Sequence, residues 1–321
     1  MGIASYIKEI GRGKDGARSL TRVQATDLMG QILDGEVTDL EVGGFCLAMR
    51  IKGETPQEMA GFLDAVHARL DKVQCDSPVV VIPSYNGARR LPVLTPLLAA
   101  LLARHGAKRG FGVLVHGCAT ENTRITSQSV LETAIFMQNM PVTHVNTAQP
   151  AIQSIAFGDL QFSPTDTLSP ALKRLLDVRR AVGLRNSAHS LVKLMNPTTT
   201  AQALIVTSYT HPEYLHSMTA AMQLTGAHAM LLRGTEGESV ADARRAPQMD
   251  GFVHGVRTNL CEAQLGTLAT VPDLPKAIDA HTTAQYISDV LHGIKPVPAP
   301  IAQQVEHILQ LMLQIQQMQS P

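Results

Sequence analysis

The chain has 321 residues, 45% of them hydrophobic, with 24 glycines and 18 prolines; this is enough apolar material for one large or two modest cores and excludes a disordered or fibrous chain. Lys plus Arg and Asp plus Glu are equal at 27 each, so no overall field draws the protein to a polyanion, and a case for one has to rest on local clustering. The opening Met1-Gly2-Ile3-Ala4-Ser5-Tyr6 lacks the basic start and apolar run of a signal peptide, and no later apolar run reaches the ~18 residues of a membrane span, so the expected location is the cytoplasm and no membrane partner is expected.

The first seventy residues carry three helix starts of one kind: Thr21-Arg22-Val23-Gln24, Thr38-Asp39-Leu40-Glu41 and Thr55-Pro56-Gln57-Glu58. In each, the Thr hydroxyl can accept from the amide three residues on, whose Glu or Gln reaches back, and Pro56 suits a first helical position. Leu28, Met29, Ile32 and Leu33 follow the first cap, and Met59, Phe62, Leu63, Val66 and Leu70 the third, at the spacing of one buried helix face. An all-helical domain over 1–74 is predicted.

From residue 78 the texture changes to short β-prone runs: Val79 to Ile82, Val113 to Val115, Val142 to Val145, Leu204 to Val206 and Met230 to Leu232. Helical stretches such as Leu97 to Arg104 and Pro212 to Leu224 lie between them, the alternation of a mostly parallel sheet covered by helices. The fold class is therefore α/β: a small N-terminal all-helical domain plus a larger α/β domain over 75–321 with a mostly parallel central sheet. Between about 168 and 195 the strand signal vanishes, and this segment is expected to cross back to the helical domain. Ile301, Val305, Ile308, Met312 and Ile315 step by four and three; two heptads are too short for a coiled coil, and a terminal helix packed on its own domain is expected. Cys46, Cys75, Cys118 and Cys261 form no C-x-x-C pair, which argues for structural thiols and against a zinc knuckle or disulfide framework.

The run Gly43-Gly44-Phe45-Cys46-Leu47-Ala48-Met49-Arg50-Ile51-Lys52-Gly53-Glu54-Thr55-Pro56, with Glu58-Met59-Ala60-Gly61-Phe62, closely resembles the helical domain of anthranilate phosphoribosyltransferase. The segment Val178-Arg179-Arg180-Ala181-Val182-Gly183-Leu184-Arg185, followed by Asn196-Pro197, resembles that family's crossover. The resemblance implies a homodimer formed through the helical domain and a site in the cleft between the domains. It also implies a Gly-Thr-Gly-Gly-Asp loop cradling pyrophosphate, a Lys-His-Gly-Asn segment, and an Asp-Glu pair holding magnesium.

The departures fall on all three. The phosphate loop reads Pro83-Ser84-Tyr85-Asn86-Gly87-Ala88-Arg89-Arg90, and the Lys-His-Gly-Asn segment reads Val115-His116-Gly117-Cys118. Ser239 and Val240 stand on the carboxylate positions, and magnesium requires oxygen ligands that valine lacks. Arg179 matches the arginine that contacts the acceptor carboxylate, but Val192-Lys193 replaces the family's Gly-Pro. Loss at donor, metal and acceptor positions together argues against the parental reaction. Lys8 to Lys14, Ile82 to Arg89, Gly183 to His189 and Gly234 to Glu238 are instead similar to the YbiB-like bacterial branch of the family, which the resemblance associates with non-specific nucleic-acid binding.

Charge clustering supports that expectation. Between 83 and 130 stand Arg89, Arg90, Arg104, Lys108, Arg109 and Arg124 against Glu121 alone; between 168 and 197 stand Lys173, Arg174, Arg179, Arg180, Arg185 and Lys193 against Asp177 alone. Two basic patches on a neutral chain fit phosphate-backbone contact. Arg104, Lys108 and Arg109 read as a solvated helix face. Arg12 and Lys14 sit in a predicted flexible loop able to close over a strand, and Tyr85 is a candidate to stack on a base. The candidate contacts are Arg12, Lys14, Arg89, Arg90, Arg124, Lys173, Arg179, Arg180, Arg185 and Lys193, with a pocket of Ser84, Tyr85, Asn86, Gly87, His116, Gly117 and Asn122. No cofactor is expected. The alternative is a glycosyl or phosphoribosyl transferase that holds a sugar phosphate with Ser84, Asn86, His116 and Asn122 and has moved its magnesium to Glu236 or Glu238. A third reading is a regulatory subunit whose emptied pocket senses a phosphorylated metabolite.

Overall fold

A computed structural model describes residues 2–121, 123–138, 144–145, 155–268 and 271–318. The helical lobe comprises α1 (Ala4–Ile10), α2 (Gly13–Gly16), α3 (Arg22–Asp34), α4 (Asp39–Lys52) and α5 (Pro56–His67). Thr21, Thr38 and Thr55 each close a full capping box with Gln24, Glu41 and Glu58. These caps satisfy amides that a helix start leaves without partners, which is why three short helices begin where the sequence places them. The stretch expected to be a flexible basic loop instead forms the turn of helix α2, and the Arg12 side chain folds back onto the Glu9 carboxylate and the Lys8 carbonyl.

The α/β part runs β1 (Val79–Pro83), α6 (Thr95–Arg109), β2 (Gly112–Gly117), α7 (Ser127–Phe136), β3 (His144–Val145), β4 (Leu160–Pro164), α8 (Thr165–Leu168), α9 (Pro170–Val182) and α10 (Ala188–Leu194). It continues with β5 (Ala203–Tyr209), α11 (Pro212–Thr225), β6 (Ala229–Arg233), β7 (Met249–Val253), β8 (Val256–Cys261), α12 (Ala280–Leu291) and α13 (Ala299–Gln317). Among the described residues eight strands are ordered β3-β4-β2-β1-β5-β6-β7-β8, parallel from β3 to β6 and antiparallel at β6–β7 and β7–β8. Strands β1 and β5 are buried along their whole length, as parallel strands covered on both faces must be. The β7–β8 hairpin turns through His254-Gly255, both with positive φ, the conformation that a two-residue turn matched to strand twist requires. Val142 and Thr143 of one predicted strand lie outside the described residues.

One core packs α6, α7, α12 and α13 on a single face of the sheet, and Ile301, Val305, Ile308, Met312 and Ile315 of the terminal helix are all buried in it. The other face shares a core with the helical lobe: Phe45, Phe62 and Leu28 belong to the same cluster as Leu172, Leu191, Met218 and Phe252. The lobe rests on α9, α10 and α11, which touch α3 and α5. Strand ends β1, β2, β5 and β6 therefore open beneath a fixed roof, where ligands of open parallel sheets gather. Among the described residues no helix is long and apolar enough to cross a membrane.

Candidate functional site: a β1 loop closed by two carboxylates

The loop leaving β1 is shaped by close approach. Gly87 has φ +65 and a Cβ there would meet the Ile125 carbonyl at 2.4 Å; a Cβ on Gly117 would meet the Ser84 carbonyl at 2.0 Å. Both glycines are thus required by the packing of the β1 and β2 ends against each other. Past Gly87 the chain turns so that the amides of Arg89, Arg90 and Leu91 converge, a concave nest suited to an anion.

The anion in it is the protein's own. Glu236 accepts from the amides of Arg89 (3.2 Å), Arg90 (3.0 Å) and Leu91 (3.2 Å), while its carbonyl accepts from the Asn86 side-chain amide. Using both groups holds Glu236 at φ +53, a conformation non-glycine residues seldom adopt and one that neighbours must enforce. Two residues on, the buried Glu238 carboxylate accepts from the Gly87 amide (2.8 Å), the Thr95 hydroxyl (2.8 Å) and the Ser84 hydroxyl. Ser84 also bonds the Ser127 hydroxyl at 2.7 Å. Among the described residues the loop leaving β1 thus has its amides and hydroxyls bonded to two carboxylates of the chain itself.

The same geometry tests magnesium. Ser239 donates to the Pro83 carbonyl and Val240 is packed in the core. Glu236 and Glu238, the two replacements considered, are committed to amides and hydroxyls. Among the described residues no three His, Cys, Asp or Glu side chains converge. These donors do not fit a magnesium ion bridging phosphates.

His116 is wholly buried with neither ring nitrogen partnered among the described residues, and burial pushes its pKa down to about 3. It is a neutral core imidazole, without the exposed proton position a general acid or base needs. Tyr85 is also interior, edge-on to His189 at 6.0 Å with the Lys193 ammonium 5.8 Å from its ring centre. The stacking role expected for it requires an accessible face it does not present. Asn122 and the side chain of Lys14 lie outside the described residues.

The basic candidates divide by environment. Lys193 is buried and donates to the Ser208 carbonyl at 2.7 Å, so it is no surface phosphate contact. Arg124 is inside the loop: it pairs with Glu121 (3.1 Å) and Glu236 (3.8 Å) and donates to the Gly87 carbonyl (3.1 Å). Glu121 also takes Arg179 of α9 at 2.6 Å, and the two arginines hold its pKa below the usual carboxylate range against the opposing effect of desolvation. The chain Arg179–Glu121–Arg124–Glu236 ties the crossover helix to the filled cradle. On the outer side, Asp177 sits between Lys173 and Arg180. Each lone carboxylate thus stands between two cations, which leaves both patches net positive and fixes the geometry. Arg185 reaches Asn86 at 3.4 Å. Arg89, Arg90 and Arg174 are exposed and make no ion pair among the described residues.

Sequence reasoning treated Glu236 and Glu238 only as metal candidates. A signal was available: Glu-Gly-Glu beside two strand ends places two carboxylates next to the surviving Gly87.

Comparison with known proteins places these features. Residues 4–69 match the helical bundle domain of a glycosyl transferase family. The uncharacterized protein YbiB of Escherichia coli (strain K12) is 40% identical over 301 residues, covering 93% of this chain and 90% of YbiB. Anthranilate phosphoribosyltransferase of Methanopyrus kandleri is 29% identical over 308 residues, covering 93% and 86%. Among solved structures, anthranilate phosphoribosyltransferase from Thermus thermophilus superposes with a TM-score of 0.69 at 19% identity, covering 96% of this chain and 88% of that one. The Saccharomyces cerevisiae enzyme in complex with PRPP and Mg gives 0.62 at 15% identity, covering 98% and 88%. At these identities the two structures show the fold alone.

Proposed function

The chain belongs to the anthranilate phosphoribosyltransferase-like glycosyltransferase family 3, and on that scaffold we propose that it works as a binding protein: a cytoplasmic homodimer that holds nucleic acid by its phosphates without reading sequence. The observation that carries this reading is the inverted electrostatics of the β1 loop. Its phosphate-binding amides are taken by Glu236, and the same contact pins the backbone of two consecutive exposed arginines, Arg89 and Arg90. The anion site has been turned outward, from main-chain amides inside to guanidinium groups at the rim. Guanidinium pairs suit phosphate oxygens. The outer face of α9 adds Arg174 and the Lys173–Asp177–Arg180 trio, which extends the positive surface without aromatic platforms. Such an interface binds through counterion release and is indifferent to base identity.

A labelled single-stranded oligonucleotide titrated across a salt series tests this. Log affinity is expected to fall linearly with log salt, and the Arg89→Glu/Arg90→Glu double variant, with an unchanged circular dichroism spectrum, is expected to bind at least tenfold more weakly at ~0.1 M salt. Binding that ignores salt, or a double variant that binds as wild type, would sink the proposal.

The dimer rests on α4. Leu40, Leu47 and Ile51 are 86%, 43% and 66% exposed and recur at helical spacing on one face, with Gly43 and Gly44 between them. An apolar stripe of this kind on an otherwise capped, charged helix is the signature of a covered surface. Light scattering should give a dimer for wild type and a monomer for Leu47→Glu; a Leu47→Glu chain that remains dimeric removes this face from the interface.

A further inference from the structure

Outside the filled cradle, a cavity of about 480 Å³ lies between the helical lobe and the end of β5, within the size range of small-molecule sites. Its floor is α10, where His189 and Lys193 are four residues apart and share a face. Ser208 to Thr210 form one wall, Gly53 and Glu54 after α4 the roof, Tyr214 and Met218 of α11 the opposite wall, and Arg185 a side.

Its nitrogen groups make no ion pair among the described residues, and the Glu238 carboxylate acts on Lys193 only at a distance. Lys193 is 8% exposed, and its ammonium contacts Ser208, the carbonyl at 2.7 Å and the hydroxyl at 3.5 Å. His189 is 5% exposed; its Nδ1 is engaged with Asn186, and its Nε2 is buried without a partner among the described residues. Arg185 has only the long contact to Asn86. Of the carboxylates lining the space, Glu54 accepts from the Ser187 hydroxyl and Glu213 is exposed. Arg50, also exposed, contacts the Tyr214 hydroxyl at 3.3 Å. Burying a cation against neutral partners is unfavourable unless an anion completes the site. Burial and the Arg185 charge push Lys193 down to about 8 against the opposing pull of Glu238, and His189 is held down at about 3 by burial and the Arg185 charge; an anion placed among the three would act against both shifts.

We propose that this cavity is a binding site for a small phosphate monoester, with Arg185, His189 and Lys193 around the phosphate oxygens and the ester body lying toward Tyr214 and Met218. It adjoins the β1 loop, since Tyr85 lines it and Arg185 contacts Asn86, but among the described residues none of the three groups is bonded to Glu236 or Glu238, and the site does not depend on the nucleic-acid reading.

Calorimetric titration with inorganic phosphate and with glycerol phosphate tests it, alongside proton–nitrogen spectra of the histidine rings. Saturable one-to-one binding of the ester is expected, tighter than inorganic phosphate, with the His189 ring resonances shifting in step. Arg185→Gln, at a partly exposed position and so a mild change to the fold, should weaken binding at least tenfold, and Lys193→Met by as much or more. The Arg89→Glu/Arg90→Glu double variant should bind the ester as wild type does, so the two proposals fail separately. Absence of saturation by ~10 mM ester, or equal affinity in Arg185→Gln, overturns the site. Displacement of the ester by an oligonucleotide lacking terminal phosphates would identify the anion as a strand phosphate and overturn the metabolite assignment.

Discussion

Glu238→Ala is expected to lower the free energy of unfolding by about 3 kcal/mol or more, because it strands three buried donors at once and leaves a hole the side chain had filled. The Gly87 amide, the Ser84 hydroxyl and the Thr95 hydroxyl all point at the Glu238 carboxylate, which is 2% exposed. Thr95 is the first residue of α6, so the carboxylate also sits at the positive end of a fifteen-residue helix, where it is favourable. Glu238→Gln keeps the volume but turns an amide group toward one of the donors, and should fall between wild type and alanine. The sign separates two uses of this residue. A carboxylate poised for a metal or substrate is held against repulsion, and its removal from the unliganded protein is neutral or stabilising. A carboxylate that is a structural plug is missed immediately. Urea unfolding followed by circular dichroism reads the difference, and a Glu238→Ala protein as stable as wild type would return the residue to the catalytic reading.

What the sequence disclosed and what it concealed follow from range. The Thr21, Thr38 and Thr55 caps and the buried stripe of α5 are set by residues three and four apart, and each was legible. Strand β4, Leu160–Pro164, was not: Gln161 and Ser163 interrupt its apolar residues, and both are nevertheless buried because the strand lies inside the sheet. The β7–β8 hairpin was hidden for a related reason, since Asp250 and Gly251 break one strand and the other is mostly exposed; only His254-Gly255 marked the turn.

The cradle was concealed by distance along the chain. Ser84 and Glu238 are separated by 154 residues and Arg89 and Glu236 by 147, so the loop's own residues were readable while the carboxylates they bond were not. The clustering of charge along the chain marked two basic segments but could not show that Glu121 and Asp177 each sit between two of the cations. Nor could it show that Lys193 points inward to Ser208. The family resemblance supplied the cleft, but not the two carboxylates that occupy the loop beside it.

Between pH 7 and pH 5 the protein should lose stability steeply, and the cause lies in its buried histidines. His67, His116 and His189 are held neutral, with pKa values pushed down by burial to about 4, about 3 and about 3; His67 must stay neutral to accept the Asn196 amide at Nε2. In the unfolded chain each titrates near its ordinary value of about 6.5. Below that pH the unfolded state binds protons that the folded state refuses, so the stability present in full above about 7 declines as pH falls toward the folded pKa values. One unit below that ordinary value, three such groups together amount to about 4 kcal/mol, while ordinary carboxylates remain ionised and contribute little. His228, lowered by burial and by neighbouring His254, acts in the same direction. The urea midpoint should therefore drop sharply from about pH 7 to about pH 5.5, and His116→Leu should reduce the slope of stability against pH by about one proton's worth, whatever it does to stability at neutral pH. A midpoint that is flat over this range would mean that these imidazoles reach solvent or hydrogen-bond acceptors that stabilise the protonated ring in the native state, and the closed packing around the β2 and α10 ends would have to be abandoned.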